Sequence, residues 1–358
     1  MVYSHSSNSR ANGAETPVLR AVCRGFVLTS IYLDCCPAFL LSALTFDILR
    51  LLSDGAFHSG EALAQRLDLS RASVWQALQG VEQYGVEIHS VRGKGYRLSQ
   101  PIEWLDAARI AAAAGDAGKR LSLALFDQLE SSNSVLLRRA AQCNSGTVLA
   151  CEWQSAGRGR LGRQRLGNLG GRILFSFLWR FEQGVAGLSG LSLAVGVALV
   201  RALRLAGITD ARLKWPNDVF LPQGKLAGIL IEVSGDTLGP SQVVIGVGLN
   251  LRLGQMQRQI GQPVAALGQP VSRNLLLGLL LQQMLLVLDQ FSVHGFAVLR
   301  EEWQSMHYLH QQPVRLLAPN GTERFGVVQG VAEDGTLLLD EAGVLQRIHA
   351  GEISLREC

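Results

Sequence analysis

Residues 214–232, KWPNDVFLPQGKLAGILIE, contain a stiff turn followed by the start of a buried strand. Pro216 restricts the turn because its ring fixes the backbone angle φ near about −65°. Residues 226–233 are mostly apolar, and the run has the length of a strand buried in a sheet. Lys225 stands directly before this run. The segment therefore predicts a sheet in which one buried strand begins at a lysine.

Similar apolar runs lie on both sides of this segment. Three further strands are predicted at residues 148–153, 173–179 and 243–251, which are rich in apolar and β-branched side chains. Two longer apolar segments, residues 189–205 and 274–291, are expected to form buried helices. We therefore expect a block at about residues 120–308 that mixes strands and helices (α/β, α+β).

The region before this block begins with helical patterns. Residues 41–52 carry apolar side chains at helical spacing, and Asp54-Gly55 is expected to stop that helix. Ser59 and Ser70 are candidate caps of two further helices, the second of which carries Val74, Ala77, Leu78 and Val81. Because only a short turn separates these two helices, the pattern predicts a helix-turn-helix.

A β-hairpin is predicted directly after these helices. Residues 86–88 and 96–98 are short apolar runs on either side of Arg92-Gly93-Lys94-Gly95. Glycines in such a turn supply the backbone angles that hairpins require. The hairpin would be the wing of a winged helix-turn-helix domain.

The end of the chain has a different pattern, typical of a small barrel-like β-domain. Between residues 313 and 355, short apolar runs alternate with turns at Pro319-Asn320-Gly321 and Glu333-Asp334-Gly335. We therefore divide the chain into an extension (1–40), a winged helix-turn-helix domain (41–100), a central domain (101–310) and a C-terminal domain (311–358).

Composition sets limits on function. The chain has 358 residues, 48% of them hydrophobic, and a net charge of +4, which is too small to indicate nucleic-acid binding by itself. Six cysteines without a CxxC pair favour reduced thiols in a cytoplasmic protein. Residues 25–44 are apolar but interrupted by Asp34 and Pro37, so no membrane anchor is predicted. Residues 1–40 are interpreted as an extension or an overlong gene start.

Four short motifs carry candidate chemistry, and each has an ordinary alternative. GRGRLGR at residues 157–163 offers close backbone approach and forked donors for anions, but a solvated basic loop or an RNA contact fits it equally. KWPND at 214–218 suits phosphate and Mg²⁺, or is a plain turn. Lys225 either belongs to a binding site or is the solvated end of a strand. The glycines of GVGLN at 246–250 either allow a ligand to approach the main chain or allow close packing of the strand.

Taken in order, these motifs resemble those of the bacterial bifunctional biotin–protein ligases that also repress the biotin operon. The resemblance runs from about residue 41 to residue 356. Its marks are HSGE (58–61), GKGY (93–96), GRGRLGR, KWPND, KLAGILIE (225–232) and GEISL (351–355). It implies a central mixed-sheet biotin/lipoate-ligase-like domain and a C-terminal SH3-like barrel. It also implies ATP, biotin and Mg²⁺ as ligands.

The resemblance assigns roles to individual residues. It implies a biotin site, with a second group for ATP and a metal, and Lys225 and Arg160 as the catalytic residues. The implied biotin contacts are Ser131, Ser132, Asn133, Gln154, Arg158, Gly159, Arg160 and Lys225. The implied ATP contacts are Arg160, Arg163, Lys214, Asn217, Asp218 and Asn250, with Asp218 the candidate Mg²⁺ ligand.

The sequence departs from the family pattern at the exit of the glycine–arginine loop. Residues 164–172 read QRLGNLGGR and lack the familiar Trp, Ser-Pro and Asn-Leu-Tyr. Ser131-Ser132-Asn133 replaces the usual Ser-Thr-Asn, and no tryptophan stands near Gln262. Weaker ATP binding or altered ordering of the loop is expected from these differences.

DNA binding by the first domain rests on the position of its charges. Residues 45–100 contain six Lys/Arg and six Asp/Glu, so bulk charge gives no support. The predicted recognition helix carries Arg71, Ser73 and Gln76 at positions that contact base edges in such domains. The wing carries Arg92, Lys94 and Arg97, which are expected to contact phosphates. A winged helix used only for protein contacts is the alternative.

The resemblance also implies partners. These are the biotin carboxyl carrier protein of acetyl-CoA carboxylase, the biotin operator, and a second copy of the chain once biotinyl-AMP is bound. Lipoate–protein ligation is the rival enzymatic activity, and a metabolite-sensing repressor with little or no ligase activity is the rival from another class.

Overall fold

A computed structural model describes residues 41–159, 167–235, 239–254, 263–317, 321–349 and 354–357. Its helices and strands fall into an N-terminal helical part, a central sheet with helices, and a C-terminal sheet. The helices are α1 (Ala43–Leu51), α2 (Gly60–Leu67), α3 (Arg71–Ala77), α4 (Ala107–Ala114), α5 (Ser132–Arg139), α6 (Leu191–Leu205), α7 (Arg273–His294) and α8 (Arg300–Ser305). The division into domains at residues 100 and 310 stays a prediction.

The N-terminal part is a winged helix-turn-helix, as the sequence predicts. Serine side chains cap α1, α2 and α3, each by accepting a main-chain N–H. Its hairpin consists of β1 (Ile88–Val91) and β2 (Gly95–Leu98). The prediction that α3 extends to Val81 is wrong, because Gly80 adopts a left-handed φ of 77° and Val81–Tyr84 forms a separate 3₁₀ turn.

A mixed sheet of seven strands forms the centre of the molecule. Its strands are β3 (Ser122–Leu129), β4 (Thr147–Gln154), β5 (Arg172–Phe181), β6 (Arg212–Lys214), β7 (Asp218–Leu221), β8 (Gly224–Gly235) and β9 (Ser241–Asn250). They lie in the order β3-β4-β5-β9-β8-β7-β6, and β3–β4 is the parallel pair. The four predicted strands correspond to β4, β5, β8 and β9, whereas β3, β6 and β7 were not predicted.

The two faces of this sheet have different partners. One face packs on α6 and α7, as the buried residues Val195, Leu280 and Phe175 illustrate. The other face packs on α5 through a smaller cluster that includes Leu136, Leu174 and Leu178. The smaller cluster covers only part of its face, which leaves room for a ligand there.

Two helices, Val185–Leu205 and Arg273–His294, are long and apolar enough to cross a membrane by length and composition alone. In the fold, 61% of the apolar window of each is buried. They pack on each other and on the central sheet. Both therefore occupy the position of core helices, as predicted for residues 189–205 and 274–291.

The C-terminal part is a five-stranded antiparallel sheet. Its strands are β10 (Pro313–Leu317), β11 (Glu323–Val331), β12 (Leu337–Glu341), β13 (Val344–Ile348) and β14 (Ser354–Glu357), in the order β13-β12-β11-β10-β14. Val328 and Leu339 belong to the same apolar core as α6 and α7. The indole N–H of Trp215 donates to the carbonyl of Gly335 at 3.1 Å, so this sheet is anchored beside the KWPND turn.

Two cysteines lie within the described residues, and both are free thiols. Burial raises the pKa of the Cys151 thiol well above its usual range. The pKa of the Cys143 thiol is also raised by burial. A raised pKa keeps both thiols protonated and therefore weakly nucleophilic.

Candidate functional site

A cavity opens on the sheet face that α5 covers only in part. Alternate residues of β5 and β9 point to this face. Three glycines of the sheet, Gly228, Gly246 and Gly248, line the cavity, and because they lack side chains they leave space above the strands. The lining residues come from the α5 N-terminus, the end of β4, the glycine–arginine loop and the central strands. Besides five glycines, the residues that line the cavity are Ser131, Ser132, Asn133, Trp153, Gln154, Arg158, Asn168, Arg172, Leu174, Phe175, Leu230 and Val247.

The N-terminus of α5 supplies a cluster of polar groups at one end of the cavity. Ser131 caps the helix, and its hydroxyl accepts the N–H of Ser134 at 3.4 Å. The main-chain N–H of Ser132 donates to Gln154 Oε1 at 3.4 Å. Ser131, Ser132 and Asn133 are all less than 5% exposed. Three predicted biotin contacts and Gln154 are thus brought together, although 21 to 23 positions separate residues 131–133 from Gln154 in the chain.

Asn133 is held in one orientation by three neighbours. Its Nδ2 donates to Glu232 Oε2 at 2.9 Å and to the carbonyl of Leu230 at 3.3 Å. Its Oδ1 lies within hydrogen-bond distance of the Ser176 hydroxyl, which is also 2.7 Å from Ser132 Oγ. Both N–H donors of Asn133 are used by these contacts, so the group it can still offer to a ligand is the remaining acceptor site of Oδ1, held in place without a further entropy cost.

Glu232 and Ser176 were not identified as site residues from the sequence. Glu232 links the cluster to the glycine–arginine loop, because Arg158 Nη2 lies 3.3 Å from Glu232 Oε1 and donates to Ser134 Oγ at 2.7 Å. A signal for each was present. Ser176 is a lone hydroxyl in an apolar run, and Glu232 ends the KLAGILIE motif. A polar group that is buried, as Ser176 is, or half-buried, as Glu232 is, needs partners.

Lys225 lies near the start of β8, away from Leu230 and Glu232, the residues of the same strand that contact Asn133. Its Nζ donates to Asp218 Oδ1 at 2.5 Å, across the β7–β8 pair. Asn250 Nδ2 donates to the carbonyl of Ala265 at 3.2 Å and approaches that of Lys225 at 3.5 Å. The β8–β9 register places this group beyond Gly228 and Gly248, so it borders the cavity rather than lining the part described above.

Two residues of the KWPND motif have structural contacts of their own. The Nδ2 of Asn217 donates to the carbonyl of Ile229 at 2.8 Å, and its carbonyl accepts the N–H of Ile229 at 2.9 Å. The Nζ of Lys214 lies 4.6 Å from the ring centroid of Phe220, a cation–π distance. Both contacts stabilise the turn, and the proposed ATP contacts of these residues remain predictions.

Among the residues that the structure describes, no group of three or more His, Cys, Asp or Glu side chains is placed to hold a metal ion. Mg²⁺ commonly binds one or two protein carboxylates together with substrate phosphates. The single carboxylate of Asp218 beside Lys225 fits that mode better than an all-protein site. Arg160 and Arg163, the other predicted anion contacts, lie outside the described residues, and so do residues 164–166 and Gln262.

The exit of the glycine–arginine loop packs against the winged helix-turn-helix part. Leu169 is 2% exposed within the core of that part, and its N–H donates to the carbonyl of Tyr84 at 2.9 Å. The rings of Tyr84 and Trp153 meet edge to face at 5.1 Å, and Trp153 also lines the cavity. One wall of the cavity is therefore shared with the predicted DNA-binding domain.

The predicted DNA-contacting residues lie on two surfaces of that domain. Arg71 and Gln76 are exposed on α3, whereas the Ser73 hydroxyl lies 2.9 Å from Ser70 Oγ in the helix cap. Trp75 is 57% exposed on the same helix and was not identified from the sequence. This exposed ring gives α3 a large apolar surface beside Arg71 and Gln76.

The wing is organised around one aromatic ring. The guanidinium of Arg97 lies 4.6 Å from the ring centroid of Phe57, and Lys94 Nζ lies 5.9 Å from it. Arg92 is exposed at the tip. Cation–π contacts hold two of the three predicted phosphate-binding side chains on one side of the hairpin.

Comparison with known proteins gives matches over all three parts. The Biotin/lipoate A/B protein ligase family matches residues 125–250, an HTH domain matches 45–97, and the Biotin protein ligase C terminal domain matches 310–356. The chain is 38% identical to the Bifunctional ligase/repressor BirA of Salmonella typhimurium over 313 residues, which cover 86% of this chain and 96% of that protein.

Two further matches are similar to the ligase part. The Biotin--[acetyl-CoA-carboxylase] ligase of Paracoccus denitrificans is 33% identical over 242 residues, covering 64% of this chain and 98% of that protein. The solved structure of the biotin protein ligase from Aquifex aeolicus in complex with biotin and ATP superposes with a TM-score of 0.58 at 28% identity, covering 66% of this chain and 99% of that one.

Proposed function

The chain belongs to the family of bifunctional biotin–protein ligases and repressors, and on that premise we propose that it joins biotin to ATP and passes the biotinyl group to a lysine of another protein. It is an ATP-dependent, AMP-forming biotin–[acetyl-CoA-carboxylase] ligase and a transcriptional repressor. Its acceptor is the biotin carboxyl carrier protein, and its DNA target is the biotin operator. It acts in the cytoplasm.

The observation that carries the ligase activity is the convergence of three separate segments on one cavity. Ser131, Ser132 and Asn133 from α5, Gln154 from β4 and Arg158 from the loop all line it. The hydroxyl and amide groups of the serines, Asn133 and Gln154 suit the ureido head of biotin, because they offer both donors and acceptors. Gly159 and Arg160 follow Arg158 in the chain and are proposed to close over the ligand.

In the first step, a carboxylate oxygen of biotin attacks the α-phosphate of ATP, and pyrophosphate leaves. The step brings two anions together, so positioning and fixed positive charge contribute more than proton transfer. Lys225, held by Asp218 at 2.5 Å, and Arg160 are the proposed catalytic cations. The proposed ATP contacts are Arg160, Arg163, Lys214, Asn217, Asp218 and Asn250.

A bound Mg²⁺ would neutralise phosphate charge, and Asp218 is its proposed protein ligand. In the second step the lysine amine of the carrier attacks the acyl carbon of biotinyl-AMP. The amine loses a proton, and AMP departs with the electron pair of the broken bond. The polar cluster around Asn133 holds the head group during both steps, which keeps the acyl carbon in place.

One assay separates the ligase from its rivals. The protein is incubated with ATP and either biotin or lipoate, the carrier domain is added, and modified lysine is measured by mass spectrometry. Biotinylated carrier with no lipoylation is the expected result. Lipoylation would instead support the rival enzyme, and no modification with either acid would leave a metabolite-sensing repressor.

Repression is proposed from the winged helix-turn-helix part and tested separately. Arg71, Ser73 and Gln76 are the proposed base contacts, and Arg92, Lys94 and Arg97 the proposed phosphate contacts. We propose that a homodimer formed with biotinyl-AMP bound reads the operator. Binding that weakens steeply with salt is expected in the presence of biotin and ATP. No binding with both substrates saturating would leave only the ligase activity.

A further inference from the structure

Arg172 is a buried cation within the cavity that none of the assigned roles uses. It is the first residue of β5 and 6% exposed, and it lines the cavity. Side chains of a strand alternate between its two faces, so Arg172 shares its face with Leu174 and Ser176. Ser176 contacts Asn133, which places this face toward the ligand.

The register of β5 on β9 gives the position of Arg172 along the cavity. Ser176 pairs with Gly246, Leu174 with Gly248, and Arg172 with Asn250. At about 3.4 Å per residue, the row of Arg172 lies roughly 14 Å from the row of Ser176. The cavity therefore has a polar end, where the charge of Arg158 is paired with that of Glu232, an apolar middle at Leu174, and a second cation, Arg172, at the opposite end.

The side chain of Arg172 is covered from outside by the loop exit. A Cβ atom at Gly167 would lie 2.4 Å from Arg172 Cδ and 3.0 Å from its Nη1, so only glycine permits the chain to cross at this distance. A hydrogen bond also stabilises the main chain of Arg172, because Arg273 Nη2 donates to the Arg172 carbonyl at 3.0 Å. Arg273 also pairs with the buried Glu152 at 2.8 Å.

This distribution of polarity matches biotin, which has a neutral ureido head, an apolar ring and chain, and a terminal carboxylate. We propose that the guanidinium of Arg172 binds the carboxylate of biotin, and thereby aligns it for attack on ATP. The proposal rests on the proposed biotin ligase function. A guanidinium is suited to this contact because its forked donors match the two oxygens of a carboxylate.

The test compares two ligands that differ at the carboxylate alone. Dissociation constants of biotin and of biotinamide, whose terminal group is uncharged, are measured by calorimetry for the wild-type chain, Arg172→Met and Arg172→Lys. Arg252→Met is the control, because Arg252 is a partly buried neighbour that contacts Gln100 and the carbonyl of Gly170 and does not line the cavity. Thermal unfolding of each variant reports whether it folds.

We expect Arg172→Met to weaken biotin by at least about tenfold while changing biotinamide by less than about threefold, since a charge-assisted hydrogen bond is lost only with biotin. Arg172→Lys is expected to retain part of the preference for biotin, and Arg252→Met all of it. If Arg172→Met weakens biotin and biotinamide equally, Arg172 acts on the head group or on the structure, and the proposal is wrong. It is also wrong if Arg172→Met leaves the dissociation constants of both ligands unchanged. A wild-type chain that binds neither ligand would contradict the proposed function itself.

Discussion

Replacement of Gly246 with alanine is expected to displace Asn133 and weaken biotin binding. Gly246 lies on β9 beneath the polar end of the cavity. A Cβ atom at this position would lie 2.2 Å from Asn133 Oδ1, 2.7 Å from its Cγ and 2.9 Å from its Nδ2. These distances are far shorter than van der Waals contact, and both strands around Gly246 are fixed by ladder hydrogen bonds. The amide of Asn133 must therefore move.

The magnitude follows from the contacts that Asn133 would lose. Its amide bonds to Glu232, to the carbonyl of Leu230 and to Ser176. At about 0.5–1.5 kcal/mol each, the loss of these three bonds costs about 1.5–4.5 kcal/mol of the free energy that holds the site in its binding geometry. At about 1.4 kcal/mol per factor of ten, this corresponds to a rise in the Kd for biotin between about tenfold and about a thousandfold.

Calorimetric titration of biotin into Gly246→Ala measures this effect directly. Gly268→Ala is the matched control, because a Cβ at Gly268 meets no atom within 4 Å and is expected to leave the Kd unchanged. The added methyl group is also expected to lower the Tm by a few degrees, since overpacking costs about 1–3 kcal/mol. A folded Gly246→Ala variant with wild-type affinity for biotin would falsify the assignment of Asn133 to the head-group site.

Three further outcomes are expected. Lys225→Ala should lose at least about tenfold in the rate of biotinyl-AMP formation, because a charge-assisted contact at the reacting groups is removed; near-normal formation would contradict its catalytic role. Lys94→Ala should reduce the salt-dependence slope of operator binding by about one, and an unchanged slope would remove Lys94 from the phosphate contacts. Burial lowers the pKa of His307 to about 3, so the unfolded chain takes up its proton first as pH falls. Stability should therefore fall below about pH 6.5, by about 2 kcal/mol at pH 5. His307→Phe, which retains a ring against Trp303, should lack this part of the pH dependence in unfolding experiments; an equal dependence would contradict burial of a neutral His307.

The strands of the central sheet were predictable where burial made them continuously apolar. Those at β4, β5, β8 and β9 are such runs, and each was placed to within a few residues. β3 escaped prediction although it is eight residues long, and β6 and β7 are only three and four residues long. They are strands because neighbouring chain segments supply hydrogen-bond partners, which a local pattern does not contain.

The polar half of the site was predicted more completely than its surroundings. Ser131, Ser132, Asn133, Gln154 and Arg158 were all named from motifs, and all line one cavity. Ser176, Glu232 and Arg172 were missed, because each acquires its role from neighbours on a helix or loop rather than from its own strand. The sequence also did not predict that Trp153 lines the cavity, since its contact with Tyr84 joins two distant parts of the chain.

The loop exit shows most clearly where local sequence stops being informative. Residues 164–172 stood out only as a departure from a family pattern, with weaker ATP binding or altered ordering as the expected consequence. In the fold, Leu169 completes the core of the winged helix-turn-helix part, and Gly167 crosses over Arg172. The first of these contacts joins residues more than 80 positions apart, and such pairing has no periodicity in the sequence.

The sequence by itself determined the order of the three parts, the apolar strands, the helix caps and the family to which the motifs belong. These features follow from local preferences and from the spacing of residue types, which are written along the chain. Only the tertiary structure decided which polar residues of Lys214–Glu232 and its neighbours face the cavity. The physical reason is that strand register and the packing of α5, rather than local preference, determine which side chains meet in the cavity.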